Sequence, residues 1–204
     1  MRLLLALAIL VLSPGLAFAH TGIAHGAALF HGFSHPLGGL DHVLAMVAVG
    51  VLAFVLGSRA LWLVPLSFLA AMVAGFALGT AQVQLPFVEL AIALSSVAIG
   101  GAAALGRPMP VGAAMALVGT FAVFHGHAHG AEMADSAGRL IHALGFSTAT
   151  ALLHLAGIAA GLGIATLAGR FGRVTARLAG TTFAAGGLAM LAGGSSIMHR
   201  HGRT

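Results

Sequence analysis

The chain has 204 residues, of which 59% are hydrophobic and only 6% are Asp, Glu, Lys or Arg. So few charges cannot clothe a water-facing surface, which excludes a soluble globular protein. The absence of cysteine excludes disulfides and thiolate metal sites, and the net charge of +5 comes from Arg scattered singly or at loop turns, a pattern that suits membrane topology rather than a nucleic-acid surface.

The first nineteen residues read as a secretory signal peptide. Arg2 gives the positive start, Leu3 to Leu12 the apolar run, Ser13-Pro14 the breaker, and Ala17-Phe18-Ala19 the small-x-small cleavage site. The run falls short of the roughly 20 residues that span a bilayer. Cleavage after Ala19 would leave His20 as the mature N-terminus, where its imidazole and the α-amino group make a bidentate chelate.

Residues 20–204 are expected to form a single transmembrane domain, because no linker is long enough to divide them. Apolar stretches at 37–57, 60–80, 86–105, 109–128, 140–168 and 175–198 predict an all-α, polytopic bundle of about six spans. The breaks are Gly57-Ser58-Arg59, Ala81 to Gln84, Gly106-Arg107-Pro108, the polar run 125–139, and Gly169-Arg170 to Arg173. Short connections make successive helices antiparallel, so Arg59, Arg107 and the Arg170, Arg173, Arg177 cluster share one side. By the positive-inside rule that side is the cytoplasm. The opposite, exported side then carries the mature N-terminus, as signal cleavage also requires. Gly75 with Gly79 and Gly157 with Gly161 stand four apart, a spacing that lets helix backbones approach closely in lipid.

Polar chemistry gathers on the exported side. His31 to Met46 opens the first mature helix with three His, one Asp and a Met. Pro36 suits a helix start or a tight entry turn, and Gly38-Gly39 lets the backbone bend so that His35 folds back toward Asp41 and His42. Met46, four residues after His42, shares its helix face. A carboxylate beside two imidazoles suits a divalent metal of the nitrogen and oxygen type; the alternative is that these side chains cap a helix in the wet interface, although capping needs one polar group and not four.

Glu89 lies just after Pro86 in the first turn of the third span, where a helix N-terminus also stabilises a carboxylate. The fourth span ends in His125, His127 and His129 at alternate positions, followed by Glu132. That tract is a second metal-binding element or a solvated loop that scavenges metal. Asp41, Glu89 and Glu132 are three of only four acidic residues, all at exported helix ends, where they would offset the charge of a cation leaving water. His142 begins the fifth span on the same side. His154, about 18 Å further along that helix, is either a deeper station for an ion or an imidazole bonded to a neighbouring carbonyl. Met72 and Met115 read as packing residues.

His35-Pro36-Leu37-Gly38-Gly39-Leu40-Asp41-His42 followed by Met46 resembles the HPxxGxDHxxxM motif of the HupE/UreJ family, and His127 to Glu132 is similar to its HAHGxE element. The resemblance covers essentially the whole chain. It implies a secondary permease for nickel, or cobalt, that supplies hydrogenase or urease maturation, with His35, Asp41, His42, Glu89, His129 and Glu132 handling the metal. The ion is then cargo, and no prosthetic group is expected. Expected partners are the ion, the bilayer of the cell inner membrane, and either a second copy of the chain or the maturation proteins; nucleic acid and nucleotide are not expected.

Two other classes are weighed against transport. An intramembrane metalloenzyme is disfavoured because His-Glu-x-x-His is absent and the candidate ligands lie at the outer rim. A metal sensor or assembly partner without transport would not need a histidine at mid-membrane.

Overall fold

A computed structural model describes residues 21–133, 138–169 and 172–201. The expected signal peptide, its cleavage site, His20 and Arg170 lie outside the described residues. Those residues form helices and no strand: α1 (Thr21–Gly38), α2 (Leu40–Leu56), α3 (Ala60–Thr80), α4 (Val88–Leu105), α5 (Val111–Glu132), α6 (Arg139–Ala168) and α7 (Gly172–His201). The all-α bundle expected from composition is therefore the fold. Four helices, α3 to α6, are individually long and apolar enough to cross a bilayer, and α1 with α2 qualifies as a fifth span bent by 85°. The sixth predicted stretch, 175–198, lies within α7.

Two boundaries differ from the sequence reading. The first expected span is not a helix opening at residue 37 behind an entry turn; helix already precedes it, and Pro36 sits inside α1 near its end. Proline has no amide proton to donate back along the helix. The chain turns extended at Gly39, with φ −101° and ψ 115°, and restarts as α2. The fourth span, in turn, does not stop at residue 128 but runs to Glu132. His125 and His129 are buried, so this polar segment is packed helix rather than a solvated loop.

α2 is the hub, in contact with all six other described helices. Met46, Val49 and Leu52 of α2 join Phe68 and Met72 of α3, Ile99 of α4, Val118 of α5 and Phe146 of α6 in one apolar core. The outer surface is apolar as well: Trp62, Leu66, Leu155 and Leu162 are each more than half exposed. A surface of this kind is at home in hydrocarbon, where helices satisfy their own backbone groups.

Glycine sets how closely the helices approach. A Cβ at Gly75 would fall on the Val123 carbonyl, one at Gly126 on the Met72 carbonyl, and one at Gly157 on the Val47 carbonyl. The four-residue glycine pairs of α3 and α6 thus mark the α3–α5 and α2–α6 contacts.

The chain order puts the α1–α2 break, the α3–α4 connection, the end of α5 and the start of α6 at one end of the bundle. The α2–α3 and α4–α5 connections, with Arg59 and Arg107, lie at the other. There Arg177 of α7 donates to the carbonyls of Ala104 and Leu105, which the C-terminus of α4 leaves without helical partners.

Candidate metal centre

The break between α1 and α2 fixes the first part of the site. His35 lies in the last turn of α1, and Asp41 and His42 in the first turn of α2. With Gly38 and Gly39 they line a cavity of about 310 Å³.

Asp41 Oδ1 accepts the backbone N–H of His42 at 2.8 Å and stands 3.1 Å from the ring Nδ1 of the same residue. An ionised carboxylate only accepts, so Nδ1 carries the proton and Nε2 presents its lone pair. His42 Nε2 is buried with no hydrogen-bond partner among the described residues. A carboxylate that orients an imidazole whose other nitrogen is bare is the arrangement found behind metal-binding histidines.

α5 brings the second part. Residues four apart on a helix share a face, which places His125 and His129 one turn apart on the side facing α2. The His129 ring lies 5.2 Å from that of His42 and 5.0 Å from that of His35. It stacks on Phe146 at 4.9 Å, which holds its plane. Glu132 Oε2 lies 3.2 Å from His35 Nε2. Ligand atoms of His35, His129 and Glu132 all fall within 4.8 Å of one another, close enough to share one ion.

His125 is fully buried, and its ring stands edge-on to His42 at 4.7 Å. Ser95 Oγ donates to the Ile92 carbonyl at 2.6 Å and lies 3.0 Å from His125 Nε2. The single serine proton being committed to the carbonyl, Ser95 accepts from Nε2–H. His125 Nδ1 is thereby left bare, and it too has no partner among the described residues. Deeper still, the buried His154 stands edge-on to Phe68 at 5.0 Å, and the His125 ring lies 5.8 Å from the same phenyl ring. Neither nitrogen of His154 has a partner among the described residues, so the carbonyl-bonded alternative is not what the structure has.

Not every expected residue joins the group. His127 turns away from it and lies 2.6 Å from the Val83 carbonyl, to which its Nε2–H donates, pinning α5 to the α3–α4 connection. Alternate positions on a helix cannot share a face, which is why a tract that reads as three equivalent ligands splits. Glu89 is exposed in the first turn of α4, outside the His35–His129–Glu132 group. Met46 is on α2 one turn beyond His42, but its side chain belongs to the apolar core. Met72 and Met115 pack, as expected.

Sequence reasoning missed Ser95 as the residue that orients His125. A serine inside an apolar span carries no signal of its partner, and only the packing of α4 against α5 reveals it. It also gave no role to His31, whose ring lies 5.4 Å from that of the buried His142.

The family described as HupE / UreJ protein matches residues 7–190. A relative, Protein HupE of Rhizobium leguminosarum bv. viciae, is 42% identical over 181 residues, covering 88% of this chain and 92% of that protein. No solved structure matches.

Proposed function

This chain belongs to the HupE/UreJ family, and on that premise we propose that it is a secondary transporter for a divalent transition-metal ion, Ni²⁺ first and Co²⁺ second. The observation that carries this reading is the convergence of His35, His129 and Glu132 on one point at a bundle end. The His42–Asp41 and His125–Ser95 pairs, each leaving a bare imidazole nitrogen, support it. Imidazole with carboxylate suits borderline ions such as Ni²⁺ and Co²⁺ better than Mg²⁺ or Ca²⁺, which prefer all-oxygen shells.

In this reading the bundle end that holds the histidines faces the periplasm, and the Arg-bearing connections face the cytoplasm of a cell whose inner membrane the chain crosses. The ion sheds water at His35, His129 and Glu132. It then passes to His42, held by Asp41, and on to His125 and His154 beside Phe68. The ion is delivered toward hydrogenase or urease maturation. The chain has no GxxxxGK[ST] pattern and no Lys, so it does not hydrolyse ATP by a P-loop, and the driving force is the membrane potential, a proton gradient or a partner. A sensor without transport accounts less well for imidazoles that continue inward to His154.

Uptake of Ni²⁺, Co²⁺, Zn²⁺ and Cu²⁺ by cells making the wild type, His42→Ala, Glu132→Ala or His154→Ala tests this. The expected result is Ni²⁺ accumulation that falls to background in the first two variants and is strongly reduced in the third. Equal accumulation in all four strains overturns the transport reading; loss in the first two with full uptake by His154→Ala removes the inner station from it.

A further inference from the structure

The α1–α6 crossing carries two imidazoles, His31 and His142, that the transport path above does not use, beside His35, which it does. His31 and His35 stand one helical turn apart on α1, and His142 lies in the first turn of α6. The three ring centres form a triangle with sides of 5.7 Å (His31–His35), 5.4 Å (His31–His142) and 6.1 Å (His35–His142). Imidazoles bound to one ion through nitrogens about 2.1 Å from it have ring centres roughly 5 to 6 Å apart. The His31–His35 and His31–His142 sides have the length that a shared ion requires, and the His35–His142 side is slightly longer, so the three rings close on one ion by a turn of His35.

His142 is 1% exposed, and neither ring nitrogen meets a donor or acceptor among the described residues. Burying an imidazole with both nitrogens unsatisfied costs free energy, and an orphan of this kind calls for a ligand. The placement is enforced by backbone packing. A Cβ at Gly32 would fall on the His142 carbonyl, and one at Gly145 on the Leu29 carbonyl, so α1 and α6 touch directly at the level of the two rings. His31, by contrast, is exposed, and the His35 side chain keeps 34% exposure. One wall of the triangle is therefore fixed and dry, and the other is open.

We propose that His31, His142 and His35 form an outer capture site for a divalent transition-metal ion, and that His35 is shared between it and the His35–His129–Glu132 group. His35 Nε2 faces Glu132 in this structure, so the outer site closes when the His35 ring turns toward His142. The direction of transfer follows from charge. Three neutral imidazoles offer an arriving cation no compensating charge, whereas the inner group adds a carboxylate, so the ion moves inward to the more favourable site. Only that direction rests on the transport reading; the existence of the outer site does not.

Ni²⁺ titration of the purified full-length chain in lipid nanodiscs, followed calorimetrically, tests the site without any transport measurement. The expected wild-type isotherm has two classes of sites. His31→Ala, at an exposed position, and His142→Gln, close in volume, should each weaken the outer class at least about tenfold, the range a lost ligand-shell partner costs. The loss in the double variant should fall short of the product of the two single losses, because both residues hold the same ion. His42→Ala should retain the outer class. In cells, His31→Ala should raise the external Ni²⁺ needed for half-maximal uptake rather than lower the maximal rate. Wild-type binding by both His31→Ala and His142→Gln overturns the proposal, whatever uptake shows. If the wild type transports no Ni²⁺ but His31→Ala still loses the outer class, the transport reading falls and the site stands.

Discussion

Single imidazoles in this protein differ by what holds their second nitrogen. Asp41 holds His42, Ser95 holds His125, the Val83 carbonyl holds His127, and nothing described holds His142 or His154. In the proposed path Asp41 therefore acts on the ion through His42. Asp41→Ala should release the His42 tautomer and lower Ni²⁺ affinity about 10- to 100-fold, measured by titration of the purified chain. An unchanged affinity would mean that the carboxylate does not set the ring. Protons compete for the same nitrogens and for Glu132, and a metal ligand must be a neutral imidazole or an ionised carboxylate. Uptake should therefore fall as external pH is lowered, with binding weakening in the same sense on the purified chain at equal ionic strength. The spacing of His125, His127 and His129 was readable in the sequence as a metal tract. Their unequal roles were not, because a helix turns alternate residues to opposite sides.

Elements meet at glycine. α3 and α5 are pressed together where Gly75, Gly79, Gly126 and Gly130 leave no room for a side chain, and this pairing carries His125 and His129 to their positions under α2. Gly126→Ala places a methyl group on the Met72 carbonyl and should destabilise the bundle by about 1–3 kcal/mol, the usual cost of overpacking. Gly101→Ala, where a Cβ meets nothing within 4 Å, is the control. It should be neutral or slightly stabilising, since alanine has the better helix propensity. Thermal unfolding in detergent, followed by the fluorescence of the single Trp62, separates the two. The α1–α2 bend is a second element-scale decision. Pro36 and the Gly38-Gly39 pair announce a break, yet their position does not reveal that a helix precedes them; that helix is held by Gly32 and Gly145 against α6.

At the scale of the molecule, charge and chemistry separate along the bundle axis. Most of the described histidines and Glu132 stand toward one end, with Arg139 at the start of α6 beside them and His154 deeper, while Arg59, Arg107 and Arg177 occupy the other. Because the chain has no cysteine, single-cysteine labelling reads orientation directly. Leu37→Cys should react with a membrane-impermeant thiol reagent added to intact cells, and Arg107→Cys should react only after the membrane is opened. The reverse pattern would turn the proposed path around.

Composition determined that this chain is a membrane protein, because 6% charged residues cannot cover a water-facing surface, and apolar stretches of about 20 residues made its spans helical. The HPxxGxDHxxxM spacing and the HAHGxE element marked the candidate histidines and acids and, by resemblance, the family. Tertiary structure decided the rest. It withdrew His127 and Met46 from the cluster, left Glu89 outside the group formed by His35, His129 and Glu132, and brought Ser95 and His142 beside the imidazoles of other helices. Ligand geometry across helices depends on which faces meet and how closely. Those are properties of glycine contacts between segments far apart in the chain, which no local periodicity encodes.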